Sequence, residues 1–178
     1  MRYFSEMQKA MNYLGKLKKT IFLGQAVKFP GTVMSKTFEN IPEKKLLELP
    51  VAEEMQMGIT LGLAMNGYIP VSVYPRWNFL LLSINQLINH IDKFSEMTDG
   101  EYRTNIIIRT SIGSIRPLNP QSQHIGDFSE SIKQMSKNLD IIKLKNPNDI
   151  MKSYKHAANR KDSKTTILVE YGDYYNEK

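Results

Sequence analysis

LPVAEEMQMGITLGLAMN, residues 49–66, is the stretch whose reading decides the fold. It reads as the end of a strand, a corner at Pro50, and a helix apolar on nearly every side, with Glu53 and Glu54 in its first turn. A helix that is apolar all round has to be buried. Two readings of its carboxylates stand open. Acidic side chains in a first turn complement the positive end of the helix dipole. Alternatively, one of them faces inward and does proton chemistry, since neighbouring helix positions point about 100° apart and one can be buried while the other stays wet. Gly58 and Gly62 lie one turn apart. They leave a flat groove that suits a second helix, a flat ligand or ordinary tight packing.

Outward from this helix the pattern alternates. Upstream, Phe4, Met7, Met11 and Leu14 recur at helical spacing over residues 3–16. IFLGQAV (21–27) is a short buried strand, and a long, weakly patterned loop at 28–44 leads to a second strand at 45–49. Loops of such length are commonly functional. Downstream, Gly67 caps the central helix and YIPVSVY (68–74) is a third strand. Asn78 is suited to cap a helix over 79–94, whose inward stripe is Leu80, Ile84, Leu87, Ile88 and Ile91. Gln86, Asn89 and Lys93 form its polar face. NIIIR (105–109) reads as a strand covered on both faces, followed by the loop TSIGSIRPLNPQSQ and His124. A helix (128–138), a strand (140–144), a helix capped near Asn148 and a last strand (165–170) complete the chain. The expected fold is therefore α/β: a parallel sheet of about six strands with helices on both faces. Ligands of such sheets bind beyond the carboxyl ends of the strands, which is where Gln25, Glu53, Phe79, residues 109–116 and His124 would collect.

Composition bounds the function classes. The 178 residues, 41% hydrophobic and 24% charged, are those of one globular domain, so residues 1–178 are expected to form a single unit. With no cysteine there is neither a disulfide framework nor a thiolate metal site or nucleophile. His90, His124 and His156 are scattered, so no metal site is expected on this chain. The net charge of +6 is spread out; its densest run, KLKK at 16–19, lacks interleaved aromatics and reads as a solvated helix end. Nucleic acid is therefore not an expected partner, whereas an acidic subunit or an anionic cofactor is. No apolar run is long enough for a bilayer, and the first residues lack a signal peptide's apolar block. A cytoplasmic location without a membrane is the expectation.

PVAEEMQMGITLGLAMNGYIPVSVY, then NFLLLSINQLIN, then QSQH, together resemble the pyrimidine-binding domain of thiamine-diphosphate enzymes. The resemblance is in particular to the beta subunit of the 2-oxo acid dehydrogenase decarboxylating component, and more distantly to transketolase and deoxyxylulose-phosphate synthase. It rests on Pro50, Glu53, Gly58, Gly62, Gly67 and Pro70, and covers nearly the whole chain in order and spacing. It implies that Glu53 hydrogen-bonds the aminopyrimidine ring of thiamine diphosphate. A carboxyl sharing a proton with a ring nitrogen favours the imino tautomer, which then removes the thiazolium proton; burial raises the carboxyl pKa and makes that sharing feasible. The resemblance further implies that Phe79 stacks on the pyrimidine and that His124 contacts substrate or intermediate. Gln86 and Asn89 match a polar pair read as structural, at a subunit contact.

The departures are as informative. Gln25 and Ala26 stand where such beta subunits carry an acidic residue, Pro75 and Arg76 where they are small or apolar, and Ile115, Arg116 and Pro117 where the loop is glycine-rich. Arg116 and Arg76 are candidates for an anionic substrate group. The glycine-aspartate-glycine motif that holds magnesium is absent: Asp99-Gly100 and Gly172-Asp173 lack its context. The diphosphate-binding and C-terminal domains are likewise expected to be missing. The implied protein is the pyrimidine-domain subunit of a split enzyme acting on a 2-oxo acid or ketose, by decarboxylation or ketol or acyl transfer. A separate subunit would supply the diphosphate half and magnesium, in a homodimer or heterotetramer. The alternative is a non-catalytic interaction or scaffold module that keeps the fold. A generic nucleotide-binding fold is disfavoured, because no glycine-rich phosphate loop opens a helix.

Overall fold

The computed structural model describes residues 2–116 and 119–177. Six parallel strands run in the order β2-β1-β3-β4-β6-β5, as the alternating pattern predicts. In chain order, α1 (Arg2–Lys16) precedes β1 (Thr20–Gly24), β2 (Leu46–Glu48), α2 (Glu53–Met65) and β3 (Ile69–Val73). Then come α3 (Trp77–Leu80), α4 (Phe94–Met97), β4 (Ile107–Ile112), α5 (Ser129–Met135), β5 (Leu139–Lys143), α6 (Pro147–Ala158), β6 (Thr165–Tyr171) and α7 (Tyr174–Glu177).

The central strands are apolar on both pleats, so each feeds two cores. Phe22, Val71, Val73, Ile107 and Leu168 face the layer of α1 and α6, joined by Tyr3, Met7, Met11, Leu14, Ile150 and Tyr154. Ile106, Ile108, Ile167 and Val169 face the other layer with Met57, Ala64, Trp77, Leu80 and Leu87. Registers such as Phe22 opposite both Leu46 and Val71 fix where each strand ends. The loops that follow these ends are thereby collected along one edge.

Several expectations need correction. The helix expected over 79–94 is interrupted: α3 passes through a 3₁₀ turn (Leu81–Ser83) and a π turn (Gln86–Ile91) before α4. The π turn is set by an Asp92 N–H bond to the Leu87 carbonyl, five residues back, at 2.9 Å. The buried Asp92 carboxylate then accepts from the Lys137 and Asn138 N–H groups at 3.0 and 2.7 Å, tying this segment to the start of β5. Asn78 does not cap; it lies inside α3, and Arg76 occupies the cap position without a side-chain bond. β4 begins at Ile107 rather than at residue 105, where the Asn105 amide instead donates to the Ala158 carbonyl at 2.9 Å. The loop at 28–44 contains 3₁₀ turns at Ser35–Phe38 and Glu43–Lys45.

Helix α2 is not buried all round. Its sheet-facing residues include the polar Gln56 and Thr60. Gln56 Nε2 donates to Ser72 Oγ at 3.0 Å and to the Val73 carbonyl at 2.9 Å, and Thr60 Oγ1 donates to Ser72 Oγ at 2.9 Å. Those bonds satisfy the polar groups that burial would otherwise penalise. Met55, Gly58 and Met65 are left on the surface. Gly67, with φ +77°, ends the helix as expected: its N–H bonds to the Ala64 carbonyl and that of Tyr68 to Leu63, a Schellman pair. Among the described residues no helix is long and apolar enough to cross a membrane.

Candidate active site

Glu53 is the first residue of α2 and only 6% exposed, while Glu54 beside it is exposed. Of the two readings of the first turn, the environment favours an inward carboxyl at position 53. Gln25 Nε2 donates to Glu53 Oε1 at 3.3 Å, and the Tyr74 hydroxyl donates to the Glu53 main-chain carbonyl at 3.2 Å. Oε2 has no hydrogen-bond partner among the described residues. Burial, with the Glu53 charge adding to it, pushes the Tyr74 phenol far above its usual range, so this hydroxyl remains a donor.

A second group forms where β3 and β4 hand over to their loops. The Phe79 and His124 rings lie 5.0 Å apart and tilted by 35°. Arg76 Nη1 donates to the His124 carbonyl at 2.9 Å, holding the loop that carries the imidazole. Burial lowers the Arg76 pKa, opposed by the nearby Asp173 carboxylate. The His124 Nδ1 atom is buried without a hydrogen-bond partner. Arg76 also lines a cavity of about 430 Å³ with residues 30–36, Pro75, Ser111, Gly113 and Ser114.

The structure thus brings Glu53 together with Gln25, and Phe79 together with His124 and Arg76. Arg116 is exposed, with its carbonyl accepting from Ser114 Oγ at 2.7 Å, and it does not line that cavity. Pro117 lies outside the described residues. Arg109, expected at the ligand-facing edge, is instead fully buried. Its Nε and Nη2 bond the Glu170 carboxylate, Nη1 donates to Thr37 Oγ1 at 2.8 Å, and the guanidinium sits over the Phe38 ring at 5.1 Å. It belongs to the core. Of Gln86 and Asn89, Asn89 bridges Asn85 and Lys93 on the surface, whereas Gln86 Oε1 is buried without a partner.

Sequence reasoning placed Gln25 at the ligand-facing edge without a role there and overlooked Glu48. The Glu48 carboxylate accepts from the Ala26, Val27 and Lys28 N–H groups at 2.6, 3.0 and 2.7 Å. The signal was an acidic residue at the end of a strand, two residues before the Pro50 corner. Such a side chain has no solvent-facing helix to decorate and needs donors from a neighbouring loop.

The groups present suit a flat aminopyrimidine. A buried carboxyl with one oxygen left over can meet a ring nitrogen, and a half-buried phenylalanine next to an unpartnered imidazole nitrogen offers a stacking face and a polar contact. No group of three or more acidic or histidine side chains able to hold a metal occurs among the described residues.

The family described as "Transketolase, pyrimidine binding domain" matches residues 2–176. The pyruvate dehydrogenase E1 component subunit beta of Gracilaria tenuistipitata var. liui is 28% identical over 135 residues, 75% of this chain and 40% of that one. The 3-methyl-2-oxobutanoate dehydrogenase subunit beta of Mycobacterium tuberculosis is 25% identical over 144 residues, 79% of this chain and 40% of its own length. This chain therefore spans about 40% of the length of these relatives. Among solved structures, a split-gene transketolase described as an inactive beta4 tetramer superposes with a TM-score of 0.71 at 16% identity, over 96% of this chain and 50% of that one. Transketolase from Campylobacter jejuni gives 0.72 at 13% identity, over 93% and 25%. At these identities the superpositions speak for the fold.

Proposed function

The chain belongs to the transketolase pyrimidine-binding domain family, and from that premise we propose that it is the pyrimidine-half subunit of a split thiamine-diphosphate enzyme acting on a 2-oxo acid or ketose. Residues 1–178 form that half, and a separate subunit carries the diphosphate half with its magnesium ion. The observation that carries the reading is the buried Glu53 carboxyl with Oε2 unoccupied at the start of α2.

When bound, thiamine diphosphate would supply a carbon nucleophile for chemistry at a carbonyl, and Glu53 and Phe79 are the residues of this chain that would hold its pyrimidine ring. Glu53 holds a proton at Oε2 against the pyrimidine ring nitrogen. Phe79 provides the stacking face for the ring, and His124, fixed by Arg76 through its carbonyl, contacts the substrate. Arg76 and Arg116 receive an anionic substrate group.

A partner is supported by the exposed apolar side chains Val51, Met55, Met65 and Leu82 beside and along α2. A Cβ added at Gly58 or Gly62 would meet nothing within 4 Å, so this flank is open to a neighbouring chain. Such a surface suits a homodimer or heterotetramer. A cytoplasmic setting is part of the proposal, in keeping with a sequence that holds no cysteine.

Calorimetric titration of thiamine diphosphate and magnesium tests the reading, first on this chain alone and then on the chain with a subunit carrying the diphosphate half. Binding only in the mixture, abolished by Glu53→Ala, is the expected result. No binding in either case would replace it with a non-catalytic interaction module.

A further inference from the structure

Gln25 is presented to Glu53 by a loop restrained at three points. Gly24 has φ +142°, and a Cβ there would lie 2.4 Å from the Val73 carbonyl oxygen, so the chain turns at a position closed to any side chain. The Gly24 carbonyl accepts from the Leu49 N–H at 2.9 Å, which ties the end of β1 to the corner before α2. The Glu48 carboxylate collects the N–H groups of Ala26, Val27 and Lys28, and Ala26 takes φ +53° within that arrangement. Hydrogen bonds from backbone amides to an ionised carboxylate are about twice as strong as neutral ones. A non-glycine residue at positive φ costs about 1–3 kcal/mol and persists only where the surroundings enforce it. The residue between these restraints is Gln25, and its amide reaches Glu53 Oε1 at 3.3 Å.

We propose that Gln25 is a positioning residue for Glu53, anchored by Glu48: its amide occupies Oε1 and leaves Oε2 as the oxygen that exchanges a proton with the bound ring. The proposal rests on the reading of Glu53 given above. An amide suits the task because it donates to the carboxyl without a charge or an acidic proton of its own. A carboxyl at position 25 would instead compete with Glu53 for one proton, since like charges in contact disfavour double ionisation. The other ionisable groups nearby are Tyr74, which donates to the Glu53 main chain, Glu48, engaged by the loop amides, and Glu54, exposed.

The test is a ¹³C NMR titration of the Glu53 side-chain carboxyl in the 178-residue chain without cofactor, alongside kinetics of the assembled complex. In Gln25→Glu, nearly isosteric with the parent, the Glu53 transition is expected to move to higher pH by about one unit or more. Gln25→Leu, which strips Oε1 of its donor, should also move this transition to higher pH, and Glu48→Gln, which faces the loop amides with an NH₂ group, should shift it in the same direction. In the complex, Gln25→Leu should lower kcat by about 10- to 100-fold with little change in the substrate KM. A Glu53 transition unmoved in Gln25→Glu, with cofactor binding intact, would overturn the positioning role alone. A coupled transition in a complex that binds no thiamine diphosphate would overturn the cofactor reading and this role with it.

Discussion

Glu53 and Glu54 are adjacent in sequence and opposite in surroundings, one buried against Gln25 and one in solvent. Glu53→Gln keeps the shape and removes the exchangeable proton. In the assembled enzyme it is expected to lower kcat by about 10²–10⁴-fold, while Glu54→Gln stays within about 0.5 kcal/mol of the parent in stability and leaves turnover unchanged. Steady-state kinetics with a urea melt of each variant checks both. The candidacy of position 53 was legible because a carboxylate in the first turn of an apolar helix is a local signal. Its partner was not, since Gln25 lies 28 residues away and meets it only when β1 pairs beside β2. Arg109 fails for the same reason in the opposite sense. It sits at the end of an apolar run, where a ligand contact is the local expectation, and only the distant Glu170 turns it inward.

At the scale of elements, strand and helix identities followed from apolar periodicity, and β3 and β6 lie within a residue of their expected ends. The π turn at Gln86–Ile91 was illegible, because its apolar stripe is that of an ordinary helix and the cause, Asp92 serving residues 137 and 138, is non-local. Two glycines separate the kinds of constraint that end elements. Gly67 has positive φ and space around it beyond the Lys19 side chain, so Gly67→Ala should cost about 1–2 kcal/mol of backbone strain. At Gly24 the added Cβ would also collide with the Val73 carbonyl, and Gly24→Ala should cost more, about 3 kcal/mol. Equal urea midpoints for the two variants would refute this ordering. The turn before β6 carries a pH dependence. The Arg160 hydrogen bond holds the Asp162 carboxyl well below its usual range, so the stabilisation is complete above the unfolded-state pKa of about 4 and is lost as pH falls toward the folded value. Thermal melts should show Asp162→Asn converging on the parent as the solution is acidified below about pH 4.

Across the whole molecule, one buried ionic cluster joins segments from opposite ends of the chain. Arg109 on β4 meets Glu170 on β6, Thr37 from the loop after β1, and Tyr175 on α7, while the Tyr154 hydroxyl on α6 donates to Glu170 Oε1 at 2.9 Å. Burial opposes the Arg109 charge, but the Glu170 carboxylate outweighs it and holds the guanidinium above its ordinary range. Replacing an intact buried pair by apolar side chains is often close to neutral, whereas removing one partner strands the other. Arg109→Met is therefore expected to cost about 3–5 kcal/mol near neutral pH, because Glu170 keeps only hydroxyl donors. The sign with pH follows from the stranded carboxyl. In that variant the folded state favours the protonated acid, so its deficit relative to the parent should shrink as pH falls and widen as pH rises. Arg109→Met combined with Glu170→Leu should recover most of the loss and abolish that extra pH dependence. Urea unfolding of the parent, the single and the double variant at two pH values measures all three. A double variant no more stable than the single would mean that the cluster holds the helices by its specific hydrogen bonds to Thr37, Tyr154 and Tyr175, and not by relief of a buried charge.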